Sequence, residues 1–88
     1  MKSLSILIPI YNEEESLQAL FDELKSSFEN NQSIEIIFIN DGSSDMSQKV
    51  IENEIANHST WKLINLYRNY GKSVALQSGI DIASNELI

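Results

Sequence analysis

Cysteine is absent from this chain, so it has no disulfide framework and no thiolate metal site. That absence fits a reducing, cytoplasmic setting. Basic residues are scarce, 6 Lys and Arg against 13 Asp and Glu, giving a net charge of −7. Such a balance argues against a nucleic-acid backbone as partner, which calls for a basic face, and against simple adhesion to anionic lipid. No apolar run approaches the roughly 20 residues of a membrane span. The opening "MKSLSILIPI" has one lysine, a short apolar run broken by Pro9 and no small-residue cleavage site; it reads as a strand and not as a signal peptide. No repeat, low-complexity tract or linker divides the 88 residues. One domain, spanning residues 1–88, is therefore expected, and a chain of this length buries roughly 60–65% of its unfolded surface.

What is present alternates strictly. "LSILI" at 4–8 is a buried-strand run closed by Pro9. Leu17, Leu20, Phe21, Leu24 and Phe28 then recur at helical spacing. Asn12, with Glu15 three residues on, has the pattern of a capping box for that helix. "IEIIFI" at 34–39 is a second strand. Met46, Val50, Ile51 and Ile55 mark a second helix, and "WKLINL" at 61–66 a third strand. Val74, Ala75, Leu76, Ile80 and Ala83 mark a third helix, and "ELI" at 86–88 begins a fourth strand. The order β-α-β-α-β-α-(β) predicts an α/β fold with a Rossmann-like parallel sheet. Because the chain stops where a strand begins, it reads as the N-terminal piece of a longer protein.

Ligands of open parallel sheets bind beyond the carboxyl ends of the strands. Three loops belong there: "PIYNEE", "NDGSSD" and "YRNYGK". The first offers the ring of Tyr11, the carboxylate of Glu13 and a helix start; its plain reading is a strand end and a cap. The second is more polar than a turn requires. Asp45 is expected to cap the second helix, whereas Asp41, at the strand end, is placed to accept from a base N–H or a sugar hydroxyl. The third carries Arg68 and Lys72, two of the six basic residues, and so suggests a phosphate partner as readily as a salt-bridged surface loop. Gly71-Lys72-Ser73 is not a P-loop, because Leu66 stands where that motif needs its first glycine. The single His58 reads as a capping or solvated residue, and Trp61 as packing.

Together, "SILIPIYNEEESLQALFDEL", "IEIIFINDGSSD" and "INLYRNYGKSVALQSGIDIA" resemble the start of family 2 glycosyltransferases of GT-A fold, most nearly the polyprenyl- and dolichyl-phosphate sugar transferase branch. The resemblance covers nearly the whole chain, in order. It implies the N-terminal half of a GT-A fold and an inverting hexosyltransferase as parent, working at the cytoplasmic face of the membrane. The donor would be a UDP- or GDP-linked sugar, and the acceptor a polyprenyl phosphate. Pro9, Tyr11 and Glu13 match positions lining the nucleotide pocket, Asp41 the acid that reads the base, and Ile39 and Gly42 the pocket wall beside it. Arg68 and Lys72 match a basic loop near the phosphates. The family's Asp-x-Asp motif for Mg2+ or Mn2+ and its general base do not occur within these 88 residues. No catalytic or metal-ligating residue is therefore expected in this chain, which should be inactive on its own. The same loops also suit a non-catalytic nucleotide-binding module, or a purely structural one in which Asp41 is a turn residue. Finally, the apolar edge of the first strand predicts self-association, which a dilution-stable monomer in light scattering would contradict.

Overall fold

The computed structural model describes residues 3–28, 31, 33–83 and 86–87. Its elements run β1 (Leu4–Ile10), α1 (Leu17–Phe28), β2 (Ile34–Asn40), α2 (Ser47–Ile55), β3 (Trp61–Asn65), α3 (Lys72–Ile82) and β4 (Glu86–Leu87). All strands pair in parallel, in the order β3-β2-β1-β4. The expected α/β class and element order are what is found. Ile88, the last residue of the expected fourth strand, lies outside the described residues.

β2 is central and every residue of it is buried, which is why its sequence is an apolar run and not an alternation. Its two faces feed two cores. On one side Ile36 and Phe38 meet Leu17, Phe21 and Leu24 of α1, Ile51 of α2 and Trp61 of β3. Phe21, Phe38 and Trp61 form a ring cluster, with the Phe21 and Phe38 centroids 5.7 Å apart in a T-shaped contact and those of Phe38 and Trp61 5.6 Å apart. On the other side Ile37 and Ile39 meet Ala75 of α3. Gly79 makes that approach possible, since a Cβ there would sit 3.0 Å from Ile39 Cδ1 and 3.1 Å from a Leu7 methyl. α3 therefore buries its small residues, Ala75 and Gly79, and leaves Val74 and Ile80 nearly half exposed.

Several local expectations change. β1 continues through Pro9 to Ile10 instead of closing at Ile8. Leu4 N–H donates to Ser33 and Ile10 C=O accepts from Asp41, so the even-numbered residues of β1 bond towards β2. Pro9 then faces the opposite edge, where its missing N–H breaks no ladder bond. That edge is partly occupied, as β4 pairs at Leu4 and Ser5. Met46 is more than half exposed and precedes α2 instead of packing beneath it. His58 is neither cap nor solvated: its ring stacks on Trp61 at 3.8 Å, and its Nε2 lies 2.7 Å from Glu54 Oε2.

Away from the binding edge, Glu35 is buried on the α3 side of the sheet. It accepts from Ser5 Oγ at 2.8 Å and pairs with Lys62, tying β1, β2 and β3 together. A buried carboxylate persists only when it is paired and hydrogen-bonded in this way.

Candidate nucleotide site

The three loops lie side by side at the carboxyl edge, and the second is the hub. Asn12 has a positive φ of 50°, unusual outside glycine but tolerated by asparagine. Its N–H donates to Ser43 Oγ (2.9 Å), and its Oδ1 accepts from the N–H groups of Ser44 (2.8 Å) and Asp45 (3.3 Å). Asn12 is thus a cross-loop link and not the helix cap its spacing suggested. α1 starts at Leu17, led in by Ser16 and Leu17 N–H bonds to the Glu13 carbonyl. The next backbone donors also reach across: Glu13 N–H to Ser47 Oγ (3.0 Å) and Glu14 N–H to Asp45 Oδ2 (3.3 Å).

The N-cap position of α2 is Met46, so Asp45 is not the cap its spacing suggested; it stands one residue earlier, and its Oδ1 accepts the Ser47 N–H at 2.9 Å as the chain turns into the helix. Desolvation, the largest single influence on its carboxyl, raises the pKa. The Ser47 hydroxyl, the N–H groups of Ser47 and Glu14 and its own N–H outweigh that and hold it below the usual carboxylate range. The folded value is then the lower one, so this contribution to stability is complete above about pH 4, near the unfolded carboxyl value. It is lost as pH falls through the lowered folded value. Asp45→Ala should accordingly melt at lower temperature than the parent at pH 7, and the gap should close below pH 4. A gap independent of pH would show that the carboxylate is not what matters.

Asp41 joins the second loop to the third. It is buried, 4% exposed, and its carboxylate accepts from Tyr70 N–H (2.8 Å), Gly71 N–H (3.0 Å) and Asn69 Nδ2 (3.0 Å). A carboxylate offers about four lone-pair positions, so little of its capacity remains. Gly42 makes the same junction steric. Its φ is +69°, and a Cβ there would fall 2.2 Å from the Arg68 carbonyl carbon and 2.3 Å from the Asn69 nitrogen. The surplus polarity of "NDGSSD" is spent on holding its neighbours.

Between the first and third loops, over Asp41, lies an open cleft of about 610 Å³. Pro9, Ile10, Tyr11, Glu13, Asp41, Asn69, Gly71 and Lys72 line it. Of the expected site residues the fold brings together Pro9, Tyr11, Glu13, Asp41 and Lys72. Ile39 packs beneath the sheet in the α3 core, and Gly42 is at the loop junction. Arg68 stacks its guanidinium 5.2 Å from the Tyr70 ring centre, outside the lining. Asn69 and Gly71 are lining residues that local reading passed over; the only hint was a glycine two residues after an asparagine in a strand-to-helix loop. Tyr11, about half exposed, offers a flat apolar face, and Lys72 opens α3, whose first turn carries no acid. An aromatic shelf at one end and positive potential at the other suit a ring joined to an anion.

Among the described residues no three His, Cys, Asp or Glu side chains are grouped so as to hold a metal ion. No helix among the described residues is long and apolar enough to cross a membrane.

A parallel α/β sheet with three interlocked loops around a cleft at its carboxyl edge is an arrangement of Rossmann-like type. Residues 5–88 match the model of glycosyl transferase family 2, and the chain belongs to that family. It is 41% identical over 86 residues to an uncharacterised glycosyltransferase of Synechocystis, covering 97% of this chain and 27% of that one. It is 39% identical over 92 residues to the undecaprenyl-phosphate 4-deoxy-4-formamido-L-arabinose transferase of Proteus mirabilis, covering 28% of it. The chain thus spans little more than a quarter of the curated relatives it matches. The fold is shared with the mannosyltransferase PcManGT of Pyrobaculum calidifontis, solved with GDP-Man and Mn2+, at a TM-score of 0.89 and 18% identity, over 98% of this chain and 26% of that one. S. aureus TarS 1–349 in complex with UDP gives 0.84 and 21% over the same shares, so the GT-A fold is established.

Proposed function

We propose that the cleft over Asp41 holds the nucleotide of a UDP- or GDP-linked sugar, and that the longer protein is an inverting glycosyltransferase with a polyprenyl-phosphate acceptor. The observation that carries this is the convergence of Pro9, Tyr11, Glu13, Asp41 and Lys72 from three loops on one cleft. Tyr11 would stack on the base, and Lys72 at the α3 N-terminus would face the diphosphate. Pro9 and Glu13 would complete the wall, and Gly42 and Ile39 would support it from behind. Arg68 would add positive charge from outside the lining. Support for the donor comes from the GDP-Man and UDP complexes of the two structural neighbours. Support for the acceptor comes from the activity named for the Proteus relative. An acceptor of that kind, with its isoprenoid tail, would draw the longer protein to the cytoplasmic face of the membrane. The Mn2+ of the Pyrobaculum complex supports a divalent cation, Mg2+ or Mn2+, as the longer protein's cofactor. This chain, which spans little more than a quarter of its curated relatives, is expected to bind donor without transferring the sugar.

The test is titration of the chain with UDP, GDP and their sugars, followed by amide shifts, with Tyr11→Ala beside it. Shifts should cluster in residues 9–13, 41–42 and 69–72 with a Kd on the order of 0.1–1 mM, and weaken in the variant. A folded chain whose spectrum no nucleotide moves would end this reading. The three hydrogen bonds that Asp41 already accepts favour the second reading, in which it is a structural latch alone. Self-association remains a proposal as well, resting on the β1 edge from Ile6 to Ile10, which has no partner on that side among the described residues. Dilution in light scattering is its measure.

A further inference from the structure

We infer that Asn12 is a positioning residue: by tying the first loop to the second, it holds Tyr11 at the cleft. The inference rests on the nucleotide reading of the cleft. Tyr11 and Glu13 both line that cleft, while Asn12, between them, does not. Its side chain reaches instead into the second loop, where Oδ1 accepts from the N–H groups of Ser44 at 2.8 Å and Asp45 at 3.3 Å. Two donors facing one atom fix the amide with its oxygen towards them. The peptide groups on either side of Asn12 are pinned as well. The Tyr11–Asn12 peptide donates its N–H to Ser43 Oγ at 2.9 Å, and the Asn12–Glu13 peptide donates its N–H to Ser47 Oγ at 3.0 Å.

Among the described residues Asn12 is the only one other than glycine at positive φ. Such a backbone is costly, and it persists where its surroundings enforce it. The core does not enforce it here. Tyr11, Asn12 and Glu13 are all exposed, and none of them belongs to either buried cluster. The bonds to the second loop are what hold this turn, and the turn is what carries Tyr11 past the end of β1 to the cleft. A loop ordered before the ligand arrives spares the ligand that ordering cost, so the link should appear in affinity.

Asn12→Gly is the informative variant. Glycine accepts the positive φ and removes the side-chain bonds, at a position where no core packing is lost. Titrated with UDP and GDP, it should bind the preferred nucleotide about tenfold more weakly than the parent chain. Asn12→Asp keeps an acceptor and tolerates the same φ. At high salt, which screens its added charge, it should bind within about twofold of the parent. A double-mutant cycle supplies the readout that general loosening would not. If Asn12 acts through Tyr11, then Asn12→Gly in a Tyr11→Ala background should cost less than about twofold in affinity. Parent-like affinity in Asn12→Gly, an equal loss in Asn12→Asp, or the full loss repeated in the Tyr11→Ala background would overturn the role of Asn12 and leave the nucleotide reading standing. Failure of the folded parent chain to bind either nucleotide would overturn that reading, and this inference with it.

Discussion

Gly42→Ala should drive the second and third loops apart and cost the chain on the order of 3 kcal/mol. About 1–2 kcal/mol comes from holding a non-glycine residue at positive φ, and about 1–3 kcal/mol from overpacking. The overpacking is unusually hard to relieve. The atoms a Cβ would strike, 2.2 and 2.3 Å away, are backbone atoms of Arg68 and Asn69 and not the end of a side chain that can swing aside. Relief requires moving the third loop, and with it the Tyr70 and Gly71 N–H groups that Asp41 binds. Nucleotide shifts should therefore vanish together with stability. Gly71→Ala is the contrast: its φ of +100° strains any other residue, but a Cβ there meets nothing within 4 Å. It should cost less and leave the second-loop amides in place. Chemical denaturation with amide spectra of both variants checks this; equal losses would show that loop contact is not the cause.

Phe38→Ala should remove about 3–5 kcal/mol, the range for emptying a fully buried aromatic site. A chain of this length holds only roughly 4–13 kcal/mol in total, so the loss is a large fraction of its stability and should lower the urea midpoint substantially. Phe38 is fully buried at the centre of β2 and touches both Phe21 and Trp61, so the hole opens where α1, β2 and β3 meet. None of these elements can collapse into it without breaking the parallel register that pairs Phe38 with Ile8 and Leu63. Tyr67→Ala, at a ring 94% exposed, should change stability by less than about 0.5 kcal/mol. Midpoints for the two variants in urea test the contrast. A Phe38→Ala chain as stable as the parent would show that the sheet packs otherwise than described.

The two substitutions differ in how far sequence alone could foresee them. Phe38 belongs to "IEIIFI", and an unbroken apolar run flanked by helical patterns already dictates a central strand with both faces covered. The order of elements followed from periodicity for the same reason: apolar spacing is local, and the hydrophobic effect acts on it wherever the chain goes. The carboxyl-edge loops followed from that order. The resemblance to family 2 glycosyltransferases rested on those loops, and the family match across residues 5–88 agrees with it.

Tertiary structure decided what each polar residue in the loops does. Asn12 has the spacing of a cap, yet it bonds to Ser44 and Asp45, more than thirty residues away. Asp41 looked free to meet a ligand, yet three donors from residues 69–71 already occupy it. Asn69 carried no periodic or motif signal, and only its bond to Asp41 fixes which way its amide faces. A hydrogen bond between loops has no sequence period, because its partners are set by how the strands align and not by their separation along the chain. In this protein the sequence determined the sheet and the carboxyl edge where its three polar loops gather, while the packing of those loops decided which polar groups are paired within the protein.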